Sequence, residues 1–146
     1  MAYKSKYKPE FPDQYKGDIN KIVCRSSWER WVCKFFDGNK SVKWWSSEET
    51  IIKYFDVSSN KWRRYFPDFV VQMTSGKKLI IEVKPDYQTC KPRKGNKRKS
   101  SYLKEQTTYN TYVCKWAYAK NFASKYKAEF QIWTEYTINR LGGKIN

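Results

Sequence analysis

Asp68, Glu82 and Lys84 are the residues of this chain whose types and spacing can do chemistry together. They lie in Tyr65-Phe66-Pro67-Asp68-Phe69-Val70-Val71-Gln72-Met73 and Leu79-Ile80-Ile81-Glu82-Val83-Lys84, with Thr74-Ser75-Gly76 as a tight connection before the second run. Side chains alternate along a strand, so residues of like parity share a face. Phe69, Val71 and Met73 are apolar and odd, as are Leu79, Ile81 and Val83. Burying both sets on one side requires odd to oppose odd. A three-residue loop then sets Asp68 opposite Glu82, with Lys84 one step along. Val70 and Ile80 share that second face, which predicts that protein covers part of it.

Two carboxylates within ~5 Å resist joint ionisation, and one ammonium neutralises only one of them. A hard divalent cation relieves the remainder. Mg²⁺ accepts one or two carboxylates while keeping waters and phosphate oxygens, and Mn²⁺ suits the same donors. Such an ion acidifies a water and polarises a phosphoryl oxygen. A lysine, as a compact point charge, can orient that water or steady a pentavalent phosphate. Glu82-Val83-Lys84 is the only Asp/Glu-x-Lys of the chain, and of its three Pro-Asp pairs only Pro67-Asp68 opens a strand that can reach it. The bland alternative is a salt-bridge pair on a solvated sheet face.

Composition narrows the chemistry. The chain has 146 residues, 30 Lys+Arg against 14 Asp+Glu, a net charge of +16 and no histidine. A Ser-His-Asp triad, a His-activated cysteine and an imidazole-held metal are therefore excluded. Cys24, Cys33, Cys90 and Cys114 contain no C-x₂-C pair, which argues against zinc, and they read as reduced thiols. Cys33 and Cys114 read as small core residues. No run approaches the ~18–20 apolar residues of a membrane span, the polar start is no signal peptide, and no membrane partner is expected. The positive excess points to a polyanion. It concentrates in Lys91, Arg93, Lys94, Lys97, Arg98 and Lys99, a Gly- and Pro-broken loop leaving the strand of Glu82 and Lys84. A solvated loop is its bland reading; its position favours contact of these six side chains with nucleic-acid phosphates, with little sequence preference.

The positioning elements follow from periodicity. Residues 1–18 read as an extended basic and aromatic arm whose Tyr3, Tyr7, Phe11 and Tyr15 can dock on a surface; residues 19–146 read as one domain. Trp28, Trp31, Val32, Phe35 and Phe36 form a helical stripe from Arg25-Ser26-Ser27 to Phe36, stopped by Asp37-Gly38-Asn39. Glu29 lies beside that stripe, where buried face meets solvent. Strands are expected at Val42–Trp45, Thr50–Phe55, Arg64–Met73, Lys78–Lys84 and Glu129–Tyr136, and a helix at Ser100–Lys127 with Leu103, Val113, Trp116, Ala117 and Phe122 inward. Glu48-Glu49 reads as a turn before a strand, and alternatively as another acid near the site. The tyrosines of the second helix, Tyr102, Tyr109, Tyr112 and Tyr118, are packing residues or base-stacking ones. The order α-β-β-β-α-β describes a mixed α/β fold.

Pro67-Asp68 with Glu82-Val83-Lys84, on that order of elements, resembles the PD-(D/E)xK nuclease superfamily. The resemblance implies Asp68 and Glu82 as Mg²⁺ ligands and Lys84 as the residue assisting water. Arg25-Ser26-Ser27-Trp28-Glu29 is similar to the first-helix element of resolvase-like and transposase-type members, which implies Glu29 as an added ligand and catalytic acid. Ser26-x-x-Glu29 is equally a helix capping box, and one glutamate serves one role at a time. At finer grain the chain resembles the head-completion nucleases of T-even-type tailed phages, through the Lys/Tyr-rich start, Trp45-Ser46-Ser47-Glu48-Glu49, Tyr65-Phe66-Pro67-Asp68-Phe69 and Glu82-Val83-Lys84-Pro85. That implies a DNA nuclease of virion assembly that trims packaged DNA before tails join. It also implies head, portal or neck proteins as partners of the arm, and a place in the host cytoplasm or on the virion. The Gln-x-x-x-Tyr of some exonuclease branches is absent, because Asn110 stands four residues after Gln106. The rival reading is a non-catalytic DNA-end-binding or head-tail connector protein that keeps the fold.

Overall fold

The apolar alternation of Phe69–Val71 and Leu79–Ile81 builds the centre of the molecule. A computed structural model describes residues 3–145; Met1, Ala2 and Asn146, which the sequence places in the arm and at the domain's end, lie outside the described residues. In chain order the elements are β1 (Ser5–Lys6), β2 (Val23–Cys24), α1 (Ser27–Phe36), β3 (Val42–Ser47), β4 (Ile52–Asp56), β5 (Lys61–Tyr65), β6 (Phe69–Met73), β7 (Lys78–Val83), α2 (Lys99–Lys125), β8 (Glu129–Trp133) and α3 (Glu135–Arg140). The main sheet has the order β3-β6-β7-β8. Its first three strands are antiparallel and β8 runs parallel to β7, so the β7–β8 link must cross over, which α2 does. The α-β-β-β-α-β order is thus α1-β3-β6-β7-α2-β8, with the β4–β5 hairpin inserted as a separate two-stranded sheet.

The register of β6 on β7 is the one parity demands: Phe69 faces Ile81, Val70 faces Ile80 and Val71 faces Leu79. Met73 N–H closes the turn on the Lys77 carbonyl at 2.7 Å, which leaves Thr74-Ser75-Gly76 as the loop. The odd face packs on Val32, Cys33 and Phe36 of α1 in the larger core. The even face carries Val70 and Ile80 against Ala123 of α2. Both faces are covered, as the even-face pair predicts.

Several boundaries differ from expectation. The strand expected over Arg64–Met73 is two strands in two sheets, parted at Phe66-Pro67-Asp68. Proline has no N–H for a ladder, and the chain changes sheets there. The strand expected to reach Tyr136 ends at Trp133, because Thr134 caps α3 through reciprocal bonds with Thr137. On α2 the buried positions are Trp116, Ala119 and Ala123, while Leu103 and Val113 are exposed; the small residues let the helix lie close to the hairpin and sheet. Among the described residues no helix is long and apolar enough to cross a membrane.

The expected arm is docked along its length. β1 pairs with β2, Tyr15 bridges Trp45, and the rings of Tyr7 and Tyr15 are buried in the main core. Asp37, just past α1, fastens it: its carboxylate accepts from the Tyr7 hydroxyl at 2.7 Å, Glu10 N–H at 2.8 Å and Phe11 N–H at 3.0 Å. Tyr3 and Phe11 remain exposed. Packing therefore runs straight across the boundary expected near residue 18.

Candidate metal-dependent nuclease site

The site lies where β7 ends. β7 is an inner strand, flanked by β6 and β8, and Glu82 is its penultimate residue. Beyond the Phe69–Ile81 pair the Asp68 side chain replaces main-chain pairing: its Oδ2 accepts the Val83 N–H at 2.7 Å. Glu82 is buried, with Oε1 accepting from the Tyr65 hydroxyl at 2.7 Å and Oε2 lying 3.7 Å from Lys84 Nζ. The Lys84 ammonium stands 4.0 Å from the centre of the Tyr112 ring, a cation–π contact that places it at the edge of α2. Asp68, Glu82 and Lys84, brought together on paper by parity, share one neighbourhood.

Glu29 enters from the first turn of α1. Ser26 is the N-cap: its hydroxyl accepts Glu29 N–H at 3.1 Å and donates to Glu29 Oε2 at 3.3 Å, while Arg25 N–H reaches Oε1 at 3.3 Å. The capping arrangement is therefore present, and the same carboxylate lies beside Asp68. One oxygen each of Glu29, Glu48 and Asp68 lies within 4.8 Å of the other two. Glu82 is not in that trio, so the converging set differs from the one expected (Asp68, Glu82, Glu29): Glu82 turns toward Tyr65 and Lys84, and Glu48 takes the third place.

Glu48 is the residue that sequence reasoning weighed and set down as a turn. It is a turn, with φ +53° and its N–H on the Asp68 carbonyl at 3.2 Å. That bond lies one step past the Ser47–Phe69 pair, so the β3–β6 ladder itself sets Glu48 beside Asp68. The Arg25 guanidinium faces Glu48, with Nε to Oε1 at 2.9 Å and Nη2 to Oε2 at 3.3 Å.

Electrostatics mark the cluster as unsatisfied. Burial pushes the Asp68 carboxyl well above the ordinary carboxylate range, and Glu82 and Glu29 push it further. Burial likewise raises Glu29, with Glu48 adding to it. Glu82 is raised by burial against the opposing pull of the Tyr65 hydrogen bond and Lys84. Lys115, over the rings of Tyr54 and Tyr65, is lowered by burial while Glu82 resists the shift. Three carboxylates whose hard oxygen donors lie within 4.8 Å of one another fit a hard divalent cation, and Arg25, Lys84 and Lys115 nearby compensate only part of the charge.

The basic run of 91–99 is exposed throughout except for Pro92. Lys91, Arg93 and Lys97 line a groove of about 800 Å³ whose other wall includes Tyr109 and Tyr112 of α2. Tyr112, one of the residues lining the groove, is also the ring beside Lys84. Lys94, Arg98 and Lys99 lie on the same loop and at the start of α2, and Lys97 is tied to Glu105 at 2.7 Å. Tyr118 packs instead against Trp62. Cys24 and Cys33 are buried with sulfurs 3.5 Å apart, Cys114 is half-buried, and Cys90 is exposed.

A family model of TnsA-like endonuclease N-terminal domains matches residues 39–135, which spans β3 to the start of α3 and so includes Glu48, Asp68, Glu82 and Lys84. The chain is also 35% identical over 148 aligned positions to the head completion nuclease of Enterobacteria phage T4, covering 99% of each protein. With this fold, and with acids and a lysine gathered at the end of an inner strand, the chain belongs to the TnsA-like endonuclease N-terminal domain family, a family of nucleases.

Proposed function

We propose that this protein is a head-completion nuclease: a divalent-metal-dependent deoxyribonuclease that hydrolyses DNA phosphodiesters late in phage head assembly, trimming packaged DNA so that heads can join tails. The observation that carries the reading is the convergence of Glu29, Glu48 and Asp68 near the Glu82–Lys84 pair. Asp68, Glu48 and Glu29 would hold the ion, with Glu82 within reach as a further ligand; Mg²⁺ is the expected cation and Mn²⁺ its substitute. When bound, the ion supplies Lewis-acid polarisation of a phosphoryl oxygen and eases deprotonation of a water.

The chain's own groups do the rest. The Val83 N–H fixes the rotamer of Asp68, and Tyr65 fixes that of Glu82. Lys84, only 17% exposed, has its charge held between the Glu82 carboxylate and the Tyr112 ring. From there it orients the attacking water and offsets the negative charge that grows on the phosphate. The loop lysines and arginines draw the DNA backbone along the groove, and contacts to phosphate leave sequence preference weak. The exposed Tyr3 and Phe11 give the docked N-terminal segment a surface for a head, portal or neck protein, in the host cytoplasm and then on the virion.

The test is incubation of closed circular and linear duplex DNA with Mg²⁺, Mn²⁺ or EDTA, comparing wild type with Asp68→Ala and Lys84→Ala. Cutting of the closed circle identifies endonucleolytic action, and an RNA lane checks the sugar. Intact DNA in every lane, or variants that cut as well as the wild type, overturns the proposal.

A further inference from the structure

The hairpin β4–β5 carries a charge pattern that the site just described does not use. Its register sets Lys53 opposite Arg64 and Phe55 opposite Trp62, alternating with Ile52 opposite Tyr65 and Tyr54 opposite Arg63. Directly opposed residues share a face. Ile52, Tyr54 and Tyr65 pack on α2 around Ala119, so Lys53 and Arg64 stand on the outer face. Both are exposed, and neither has an ion pair among the described residues.

Like charges directly opposite one another destabilise a ribbon. The only acid of the hairpin, Asp56, is buried and engaged by Arg63 at 3.1 Å, so it cannot relieve them. Trp62, although its ring meets Phe55 and Tyr118 of α2 edge-on, is still 66% exposed beside them. A two-stranded ribbon with opposed cations free of any acid complements one class of partner, the DNA backbone, and a ribbon of this width also fits a major groove.

Its roots place it at the reaction. The hairpin begins after Glu48 and ends before Asp68, two members of the carboxylate trio, and Tyr65 at the end of β5 bonds Glu82. Arg64 stands four residues from Asp68, at most about 14 Å along an extended chain. That is roughly four base-pair rises of duplex. We infer that the outer face of the β4–β5 ribbon, through Lys53 and Arg64, is a second DNA-backbone site that grips duplex phosphates within about four base pairs of the scissile bond. The inference rests on the nuclease reading and adds a contact on a different element from the 91–99 loop.

The test is an anisotropy titration of a 20-base-pair duplex in EDTA over a range of salt concentrations. It compares the full wild-type chain, Lys53→Ser/Arg64→Ser, the charge-keeping Lys53→Arg/Arg64→Lys, and Lys34→Ser/Lys40→Ser as an equal charge loss elsewhere. Two lost phosphate contacts should shorten the slope of log K against log salt by about 1.8, or about 60-fold in affinity at 0.1 M salt if the curves meet at 1 M. The thermal midpoint should stay level or rise, since a like-charge pair is removed. The swapped pair should keep the wild-type slope, and the Lys34/Lys40 variant should too. An unchanged slope in the ribbon variant, or an equal loss in the Lys34/Lys40 control, overturns the inference. Plasmid cleavage by the wild type, run alongside, separates the two readings: cutting with an unaltered ribbon slope removes only this site, whereas neither cutting nor binding removes the nuclease and the ribbon together.

Discussion

Replacing Asp68 by Asn should make the metal-free protein more stable while abolishing its function. The oxygens of Glu29, Glu48 and Asp68 lie within 4.8 Å of each other. At an effective dielectric near 20, each ionised pair at that distance repels by about 3.5 kcal/mol. Raising Asp68 lets the protein avoid the full sum, because holding a proton on a carboxyl at pH 7 would cost at most about 4 kcal/mol against a reference pKa near 3.9. Arg25 and Lys84 offset part of that, which leaves about 2 kcal/mol to be recovered. Asparagine keeps an oxygen for the Val83 N–H and loses the charge. For a chain of this size the melting temperature should rise by roughly 4–8 °C in EDTA at pH 7.

The sign over pH follows from the direction of the shifts. Asp68, Glu29 and Glu82 are all raised in the folded protein. Groups raised on folding contribute their stability below the unfolded carboxylate pKa and lose it as pH climbs through the folded one. The gain from Asp68→Asn over wild type should therefore be small near pH 4 and grow toward pH 7, a difference that cancels the global charge of the chain. Mg²⁺ at a hundred times its Kd should then add about 2.7 kcal/mol to the wild type and nothing comparable to the variant. Thermal scans at several pH values, with EDTA and with Mg²⁺, read all of this. A destabilised variant, or a difference curve that is flat from pH 4 to 7, refutes the idea that the acids are held in mutual repulsion.

Four further outcomes are expected. Lys84→Met should lower kcat by about 10²–10⁴-fold in a plasmid assay while keeping the Mg²⁺-induced rise in melting temperature, since it holds no ion. Glu48→Gln and Glu29→Gln should each weaken Mn²⁺ binding in calorimetry by at least tenfold, whereas Ser26→Ala should cost about 1 kcal/mol of stability and leave cleavage in place; equal affinity across all three would unseat the carboxylate trio. Removal of residues 1–16 should leave a chain without a cooperative melt by circular dichroism, because Tyr7 and Tyr15 belong to the core. Lys91→Ser/Arg93→Ser/Lys94→Ser should shorten the salt slope of duplex binding by about 2.7, with a retained slope counting against the groove as the DNA path.

The pairing of Asp68 with Glu82 was legible because two local facts sufficed: the parity of the apolar residues and a three-residue loop. Glu29 was legible as to place, since helix period puts it beside the stripe, and the structure gives it the capping bonds and the approach to Asp68 together. Glu48 was legible only as the lesser of two readings, because its position depends on the pairing of β3 with β6 across twenty-one intervening residues, a non-local choice that propensity does not encode. The break at Pro67 carried its own warning in a residue that cannot donate to a ladder, yet the β-rich composition on both sides masked it. Tyr7 and Tyr15 look like surface residues in a Lys-rich stretch; only the presence of Trp45 and Asp37 as partners draws them inward.

Glu48 and Asp68 are clamped to each other by a main-chain bond at the mouth of the β4–β5 insertion, with the Ser47–Phe69 rung directly behind them. The ladder thus acts as a collar: whatever length of polypeptide is looped out beyond it, the two acids keep their spacing. The turn at the tip of the insertion, between Asp56 and Lys61, is free to grow, shrink or be exchanged, provided that Tyr65 at its root stays on Glu82. A scaffold wired this way can evolve a new substrate preference by grafting a different excursion onto an unaltered root.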